Sequence, residues 1–259
     1  MKKAPYETCV DDFQWQMIRR YLPKRARTGR PPVDQRRVFD ALIYVLKSGC
    51  QWRMLPSEFP HWRTVYGHFQ AWHRKGRLRR IHRILHRALR KLAGRNPKPS
   101  AAIIDSQTVR SAAHGGVVGY DAGKKTKGRK RFICVDTLGY LVALFIAPAD
   151  TPERAGAKSL LSGLLGRAEL TKIWADGGFS GQQLAGWVQT KGHGTELEIV
   201  RRSDTATGFN VLPKRWIVER TFAWLVQNRR LVRDYEKSIE SADAFVYLAS
   251  LRLMLNHYS

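Results

Sequence analysis

Ala101-Ala102-Ile103-Ile104-Asp105 and Lys172-Ile173-Trp174-Ala175-Asp176-Gly177-Gly178 decide how this sequence is read. Each is a short, mainly apolar run that ends directly on an aspartate, the pattern of a buried strand delivering a carboxylate to a sheet edge. Gly177-Gly178 permits a tight strand-to-helix turn and a close backbone approach to a ligand. Between the two runs, Phe132 to Val135 and Tyr140 to Ile146 read as strands joined in a hairpin by Asp136-Thr137-Leu138-Gly139. A helical stretch follows over Ala155 to Leu165. Beyond Asp176 the pattern predicts a helix from Ser180 to Thr190, a strand from Leu197 to Val200, and helices over Trp216 to Arg230 and Ser241 to His257. Three strands followed by alternating helix and strand make a mixed α/β layer fold.

Upstream the period changes. Val38, Ala41, Leu42, Val45 and Leu46 recur at helical spacing after Pro31-Pro32, then Val65, Phe69 and Trp72, then Ile81, Ile84, Leu85, Ala88 and Leu92. Gly94-Arg95-Asn96-Pro97-Lys98-Pro99-Ser100 is rich in breakers, which places a boundary near residue 98. The expected organisation is a small all-α domain over 1–98 and an α/β domain over 99–259.

Charge narrows the function. Lys and Arg number 46 against 21 Asp and Glu in 259 residues, a net +25. Residues 1–100 alone carry 24 against 6. Such an excess calls for a polyanionic partner. No apolar run of membrane-spanning length, signal peptide or lipidation motif accompanies it, so nucleic acid is favoured over a membrane and the protein reads as intracellular. Cys9, Cys50 and Cys134 are too dispersed for a disulfide framework or a paired-cysteine zinc site.

Phosphoryl transfer on DNA is commonly solved by two divalent cations held by carboxylates from rigid elements. Asp105 and Asp176 could supply two of them. Glu219, inside Arg215-Trp216-Ile217-Val218-Glu219-Arg220-Thr221-Phe222-Ala223-Trp224-Leu225, could supply a third beside an apolar face. Each residue also has an ordinary reading. An aspartate after a strand caps turns and helices, and Glu219 has Arg215 four residues earlier as a helix-surface partner. Asp136 and Asp150, at hairpin ends, and Asp121, in a glycine-rich loop, compete as metal ligands.

Basic residues complete the picture. Gly115 to Arg131 fails as a phosphate-binding loop, because Arg129-Lys130 stands where Lys followed by Ser or Thr is required. It reads instead as a flexible loop whose Lys124, Lys125, Lys127, Arg129, Lys130 and Arg131 meet a DNA backbone near the acids. Arg77, Arg79, Arg80, Arg83, Arg87, Arg90 and Lys91 surround the apolar stripe of one helix, with Arg36, Arg37, Arg53 and Arg63 adding to a helix-turn-helix-like surface whose groove-entering helix stays open. Trp52, Trp62, Tyr66, Phe69 and Trp72 read as core. His82 and His86 have the spacing of zinc ligands, but Arg83 and Arg87 beside them oppose a cation.

The chain resembles the DDE transposases of bacterial insertion sequences, specifically the insertion sequence five family. The likeness rests on Gly49-Cys50-Gln51-Trp52-Arg53-Met54-Leu55-Pro56 with Trp62-Arg63-Thr64-Val65-Tyr66, on Ile104-Asp105-Ser106-Gln107-Thr108, on Asp121-Ala122-Gly123-Lys124-Lys125, on Ala175-Asp176-Gly177-Gly178-Phe179, and on Val218-Glu219-Arg220-Thr221-Phe222-Ala223-Trp224. The resemblance implies a ribonuclease H-like catalytic domain whose catalytic and metal-binding acids are Asp105, Asp176 and Glu219. It also implies two Mg2+ ions, with Mn2+ as a substitute. Arg215 matches a basic residue of the wider signature, and Arg220 joins it as a DNA contact. That signature's Tyr and Lys are Leu212 and Val226 here, leaving Arg229 or Arg230 to substitute for the lysine. The implied partners are terminal inverted repeats and target DNA, engaged by a dimer or larger assembly in the bacterial cytoplasm at the nucleoid. A catalytically silent DNA-binding derivative, or a nuclease without strand transfer, fits the same residues.

Overall fold

The computed structural model describes residues 6–23, 33–112, 116–166, 169–200 and 214–258. Its axis is β1 (Ala101–Arg110), which pairs antiparallel with β3 (Thr126–Asp136) on one side and parallel with β5 (Lys172–Ala175) on the other. Outward from β5 lies β6 (Glu196–Ile199), also parallel. The outer edge of β3 takes β2 (Gly119–Asp121) at one end and β4 (Leu141–Pro148) along the rest, completing a six-stranded mixed sheet.

Direct partners across an antiparallel pair share a face. Ile104 opposite Cys134 and Ala102 opposite Asp136 therefore turn the same way, and Ala102, Ile104, Phe132, Cys134, Ile173 and Ala175 build the main core there. Helices α5 (Glu153–Ser162) and α6 (Gln182–Lys191) supply Leu160, Leu161, Leu184 and Val188 to that core. Packing is tight enough that a Cβ on Gly156 of α5 would stand 2.1 Å from the Phe132 ring. The opposite face carries Ile103, Asp105 and Gln107 beside Val135, Ile133 and Arg131. Crossover helices on a largely parallel centre with an antiparallel hairpin edge give a ribonuclease H-like α/β fold, as expected.

The strand pattern departs from the sequence reading in two places. β1 does not end at Asp105 but continues to Arg110, because its second half, mostly polar on both faces, stays paired with β3, so Asp105 lies inside the strand. The expected loop from Gly116 to Arg131 is instead β2, a turn and the first half of β3 (Gly115 lies outside the described residues). Hydrophobic alternation could not reveal this half-strand, because its inward residues are cations with buried partners. Arg129, 1% exposed, donates to Asp234 Oδ2 at 3.0 Å and to the Val117, Glu236 and Lys237 carbonyls. Lys130 donates to Glu153 at 3.0 Å and to the Thr151 carbonyl.

The remaining elements are helical: α1 (Asp12–Arg19), α2 (Gln35–Ser48), a 3-10 turn (Trp52–Met54), α3 (Trp62–Arg74), α4 (Arg77–Leu92), α7 (Arg215–Val226), α8 (Arg229–Val232) and α9 (Ile239–Asn256). Asp11 caps α1 in a reciprocal capping box with Gln14. Asp34 caps α2; the Pro31-Pro32 start lies outside the described residues. The chain divides into two compact units. One comprises 1–85, 225–232 and 240–259, and the other 86–224 and 233–239. The first unit thus includes C-terminal sequence besides the helices read upstream of residue 98. Its core joins Val38, Leu42 and Leu46 of α2, Val65, Phe69 and Trp72 of α3, and Phe245, Leu248 and Met254 of α9, a helix buried almost all round.

One buried acid in this unit gives a stability test. Asp40 on α2 accepts from the Val10 N–H at 2.8 Å, and burial pushes its carboxyl up to about 6 although Val10, Arg36 and Arg252 oppose the shift. The unfolded carboxyl ionises near pH 4 and the folded one near pH 6, so wild-type stability falls as pH rises through that window and is flat above it. Asp40→Asn removes this titration. Chemical denaturation at about pH 4 and about pH 7 should show the variant gaining about 2–3 kcal/mol relative to wild type; an unchanged difference contradicts the account.

Candidate active site

β1 and β5 run parallel in a register that pairs Ile103 with Trp174, so Asp105 and Asp176 each stand two residues past the last paired couple: Asp176 just beyond the end of β5, and Asp105 in the middle of β1, which runs on past β5 paired with β3 alone. Crevices outside such strand ends are where α/β sheets bind ligands. Asp105 is half-buried and accepts from the Ser106 N–H at 2.7 Å. Burial pushes its carboxyl up to about 7, with the charges of Asp176 and Glu219 adding to the shift and Ser106 and Arg215 opposing it. Asp176 caps the single 3-10 turn Gly177–Phe179, its Oδ1 accepting from the Gly178 N–H at 2.9 Å. That is the ordinary capping role, and it leaves Oδ2 available. Gly178 suits the turn, since a Cβ there would stand 3.1 Å from Asp176 Oδ1.

Glu219 projects from α7, exposed, next to the buried Val218 and Phe222. Arg215, one helical turn earlier, reaches both remaining acids: its Nη2 is 3.4 Å from Glu219 Oε1 and 3.9 Å from Asp176 Oδ2. The i,i+4 pairing was legible in the sequence, whereas the link to Asp176 was not, because it depends on where α7 packs. Lys214 sets its ammonium 4.0 Å from the centroid of the Trp174 ring, beside the same strand end. Gln107 was also missed. It shares Asp105's face of β1, and its Oε1 is buried without a hydrogen-bond partner among the described residues.

The competing acids belong elsewhere. Asp136 is fully buried and accepts from the Leu138 and Tyr140 N–H groups, from His86 at 3.0 Å and from Arg90 at 2.5 Å. Burial alone would raise its carboxyl, but the His86 and Arg90 contacts outweigh it and hold it low. Asp121 accepts from Thr108 Oγ1 at 2.5 Å and the Lys124 N–H, shaping the β2–β3 turn, and Asp150 sits in the exposed turn after β4. His82 does not join His86: its Nε2 meets Ser250 Oγ at 2.9 Å.

The basic residues separate into two groups. Lys124, Lys125 and Lys127 are exposed at the β2–β3 turn, and Arg80, Arg83 and Arg87 are exposed on α4. Arg79 is exposed but grips both carboxylate oxygens of Asp243. Arg129, Lys130 and Arg131 are buried, which corrects their reading as loop cations; burial pulls Arg131 down to about 10. Arg220 lies between the rings of Trp216 and Trp224 and donates to the Leu138 carbonyl. Arg230 is buried, donating to the Cys50 carbonyl, so of the two suggested substitutes only Arg229 is exposed; Leu212 lies outside the described residues.

Comparison with known proteins identifies the class. Residues 96–255 match a family model described as "Transposase DDE domain", and residues 10–82 match one described as "Putative transposase of IS4/5 family". The chain belongs to the IS4/IS5-family DDE transposases. It is 31% identical over 117 residues to the insertion element IS402 uncharacterized 16.2 kDa protein of Burkholderia cepacia, covering 42% of this chain and 78% of that one. It is 33% identical over 104 residues to uncharacterized protein y4sN of Sinorhizobium fredii, covering 40% and 77%. No helix among the described residues is long and apolar enough to cross a membrane.

The donor set fits a hard divalent cation in kind, since Asp105, Asp176 and Glu219 offer only carboxylate oxygens. Among the described residues no three acids, histidines or cysteines stand at metal-ligand spacing, and Arg215 supplies the neutralising charge between two of the acids. The buried cations make a separate test. Arg129→Met removes the guanidinium that pairs with the buried Asp234 and should cost about 3–5 kcal/mol in thermal or denaturant unfolding. A combined Lys124→Gln, Lys125→Gln, Lys127→Gln variant should unfold like wild type within about 0.5 kcal/mol. Equal stability of Arg129→Met and wild type would show that Arg129 is not an interior ion-pair partner.

Proposed function

We propose that this transposase cuts DNA at the terminal inverted repeats of its own insertion sequence and joins the freed ends to target DNA, with Asp105, Asp176 and Glu219 as its catalytic acids. The observation that carries this reading is that Arg215 reaches both Asp176, at the end of β5, and Glu219 of α7, while the charges of both acids act on Asp105 in the neighbouring strand β1. Two Mg2+ ions held by these three carboxylates would supply the Lewis acidity that lowers the charge cost of phosphoryl transfer. Hydrolysis at an element end releases a 3′-hydroxyl, which then attacks a target phosphate in line; no covalent protein intermediate is required.

The surrounding residues supply what carboxylates alone cannot. Three anions repel a phosphodiester, so cations must draw it in. Arg215 does this beside the acids, and Lys124, Lys125 and Lys127 hold the backbone from the β2–β3 turn. Arg80, Arg83 and Arg87 on α4 add phosphate contacts within a DNA-binding segment over residues 1–98, with residues 99–259 performing the chemistry. Two copies of the chain, working at the bacterial nucleoid, pair two element ends.

Asp176→Asn keeps the side-chain oxygen that caps Gly177–Phe179 and removes the charge. In an assay with a labelled 3′-end and a plasmid target, it should lose cleavage and joining by about three orders of magnitude, as the removal of several kcal/mol of charge stabilisation requires, while binding end DNA as wild type does. A silent DNA-binding protein would show no cleavage by either form. Cleavage by wild type without joined product would leave a nuclease.

A further inference from the structure

From Phe59 to Ile104 the sequence holds 12 Lys or Arg and no Asp or Glu, and this stretch contains both α3 and α4. The two helices meet at a tight corner, Lys75-Gly76, with Gly76 at φ 65°. A corner of this kind offers two candidate helices to DNA, and their exposed faces differ in chemistry. On α4 the exposed positions Arg80 and Arg83 are uniformly cationic, the complement of a phosphate row that carries no base information.

The face of α3 is mixed. Val65, Phe69 and Trp72 point inward, so at 100° per residue the outward line runs through Arg63, Gly67 and Arg74, with Thr64 and Ala71 beside it. Arg63, Thr64, Gly67 and Arg74 are exposed, and neither arginine is ion-paired among the described residues. Arg63 rests its guanidinium 5.4 Å from the centroid of the Trp62 ring, which Arg53 approaches from 5.7 Å, so the fork is pre-oriented. A bidentate arginine is the commonest reader of guanine, and threonine can offer both a hydroxyl and a methyl to a base edge.

Gly67 supplies an independent observation. It lies in the middle of α3, where glycine weakens a helix relative to alanine, its backbone is ordinary right-handed helix, and a Cβ would meet nothing within 4 Å. Neither backbone conformation nor packing within the chain calls for glycine there. Its place at the centre of the outward line between two arginines matches a surface that another body must approach closely.

We infer that α3 is the base-reading helix: its Arg63–Gly67–Arg74 face enters the DNA major groove, Arg63 reads a guanine, and α4 holds phosphates through Arg80 and Arg83. This rests on the reading that the protein binds particular DNA sequences as a transposase.

Selection from a pool of randomised short duplexes by the full-length protein tests it, with folding followed by circular dichroism. Wild type should enrich a motif. Gly67→Gln should raise the melting temperature yet bind the enriched duplex about tenfold or more weakly. Arg63→Gln should lose preference at one base pair of the motif. Gly186→Gln is the control, since Gly186 is also a mid-helix glycine with nothing within 4 Å of its Cβ; it should gain stability and keep the affinity. Arg80→Gln with Arg83→Gln should keep the motif, bind more weakly and show a shallower salt dependence. Unchanged motif and affinity in Gly67→Gln and Arg63→Gln would overturn the assignment, as would loss of the motif on changing α4 alone. Binding without any motif would overturn it too. Absence of DNA binding by wild type would instead remove the functional reading beneath it.

Discussion

The register between β1 and β5 is the constraint on which the rest of the site depends. Parallel pairing of Ala101 with Lys172 through Ile103 with Trp174 fixes Asp105 and Asp176 at the same level, where β5 ends and β1 continues. A slip of one residue in either strand would turn an aspartate toward the packed face that holds Ile104 and Ala175. The register is protected because Ala102, Ile104, Ile173 and Ala175 must all meet α5 and α6. The apolar face therefore enforces the geometry of the polar edge. Burial raises the carboxyl of Asp105, the like charges of Asp176 and Glu219 add to the shift, and Arg215 offsets part of it from α7.

A second constraint holds the sheet's hairpin edge. β3 begins with Thr126-Lys127-Gly128-Arg129-Lys130-Arg131, a sequence that would be unstable as a buried strand without partners. Asp234 and Glu153 provide the charges, and the 117 and 236–237 carbonyls provide the remaining acceptors. Gly128 permits the close crossing with β1, where a Cβ would stand 2.0 Å from the Val109 carbonyl oxygen. The exposed lysines at the tip are thus mounted on a rigid, ion-paired base.

Much of this was legible from residues alone. The strand from Lys172 to Ala175 with Asp176 at its end, the helix carrying Glu219 and the change of period before residue 98 all follow from apolar spacing. The continuation of β1 past Asp105 to Arg110 does not, because its residues beyond Ile104 are mostly polar. What escaped was long-range. The charged half of β3 has no apolar alternation, and its cations looked like surface groups because Asp234 lies over a hundred residues away. Asp136 looked like a strand-end ligand because nothing in its neighbourhood announces His86 and Arg90. Arg230 looked like a free cation because its acceptor, the Cys50 carbonyl, is 180 residues earlier. Periodicity reports which face is buried, but it cannot report which charge waits on the other side.

The central claim, that Asp105, Asp176 and Glu219 together hold divalent metal, is most directly tested by replacing Mg2+ with Fe2+ in the full-length protein and mapping backbone cuts made by iron-generated radicals. The account predicts cuts clustered beside residues 105, 176 and 219, suppressed by excess Mg2+. Site-specific cuts elsewhere, or none at these three positions, would contradict it.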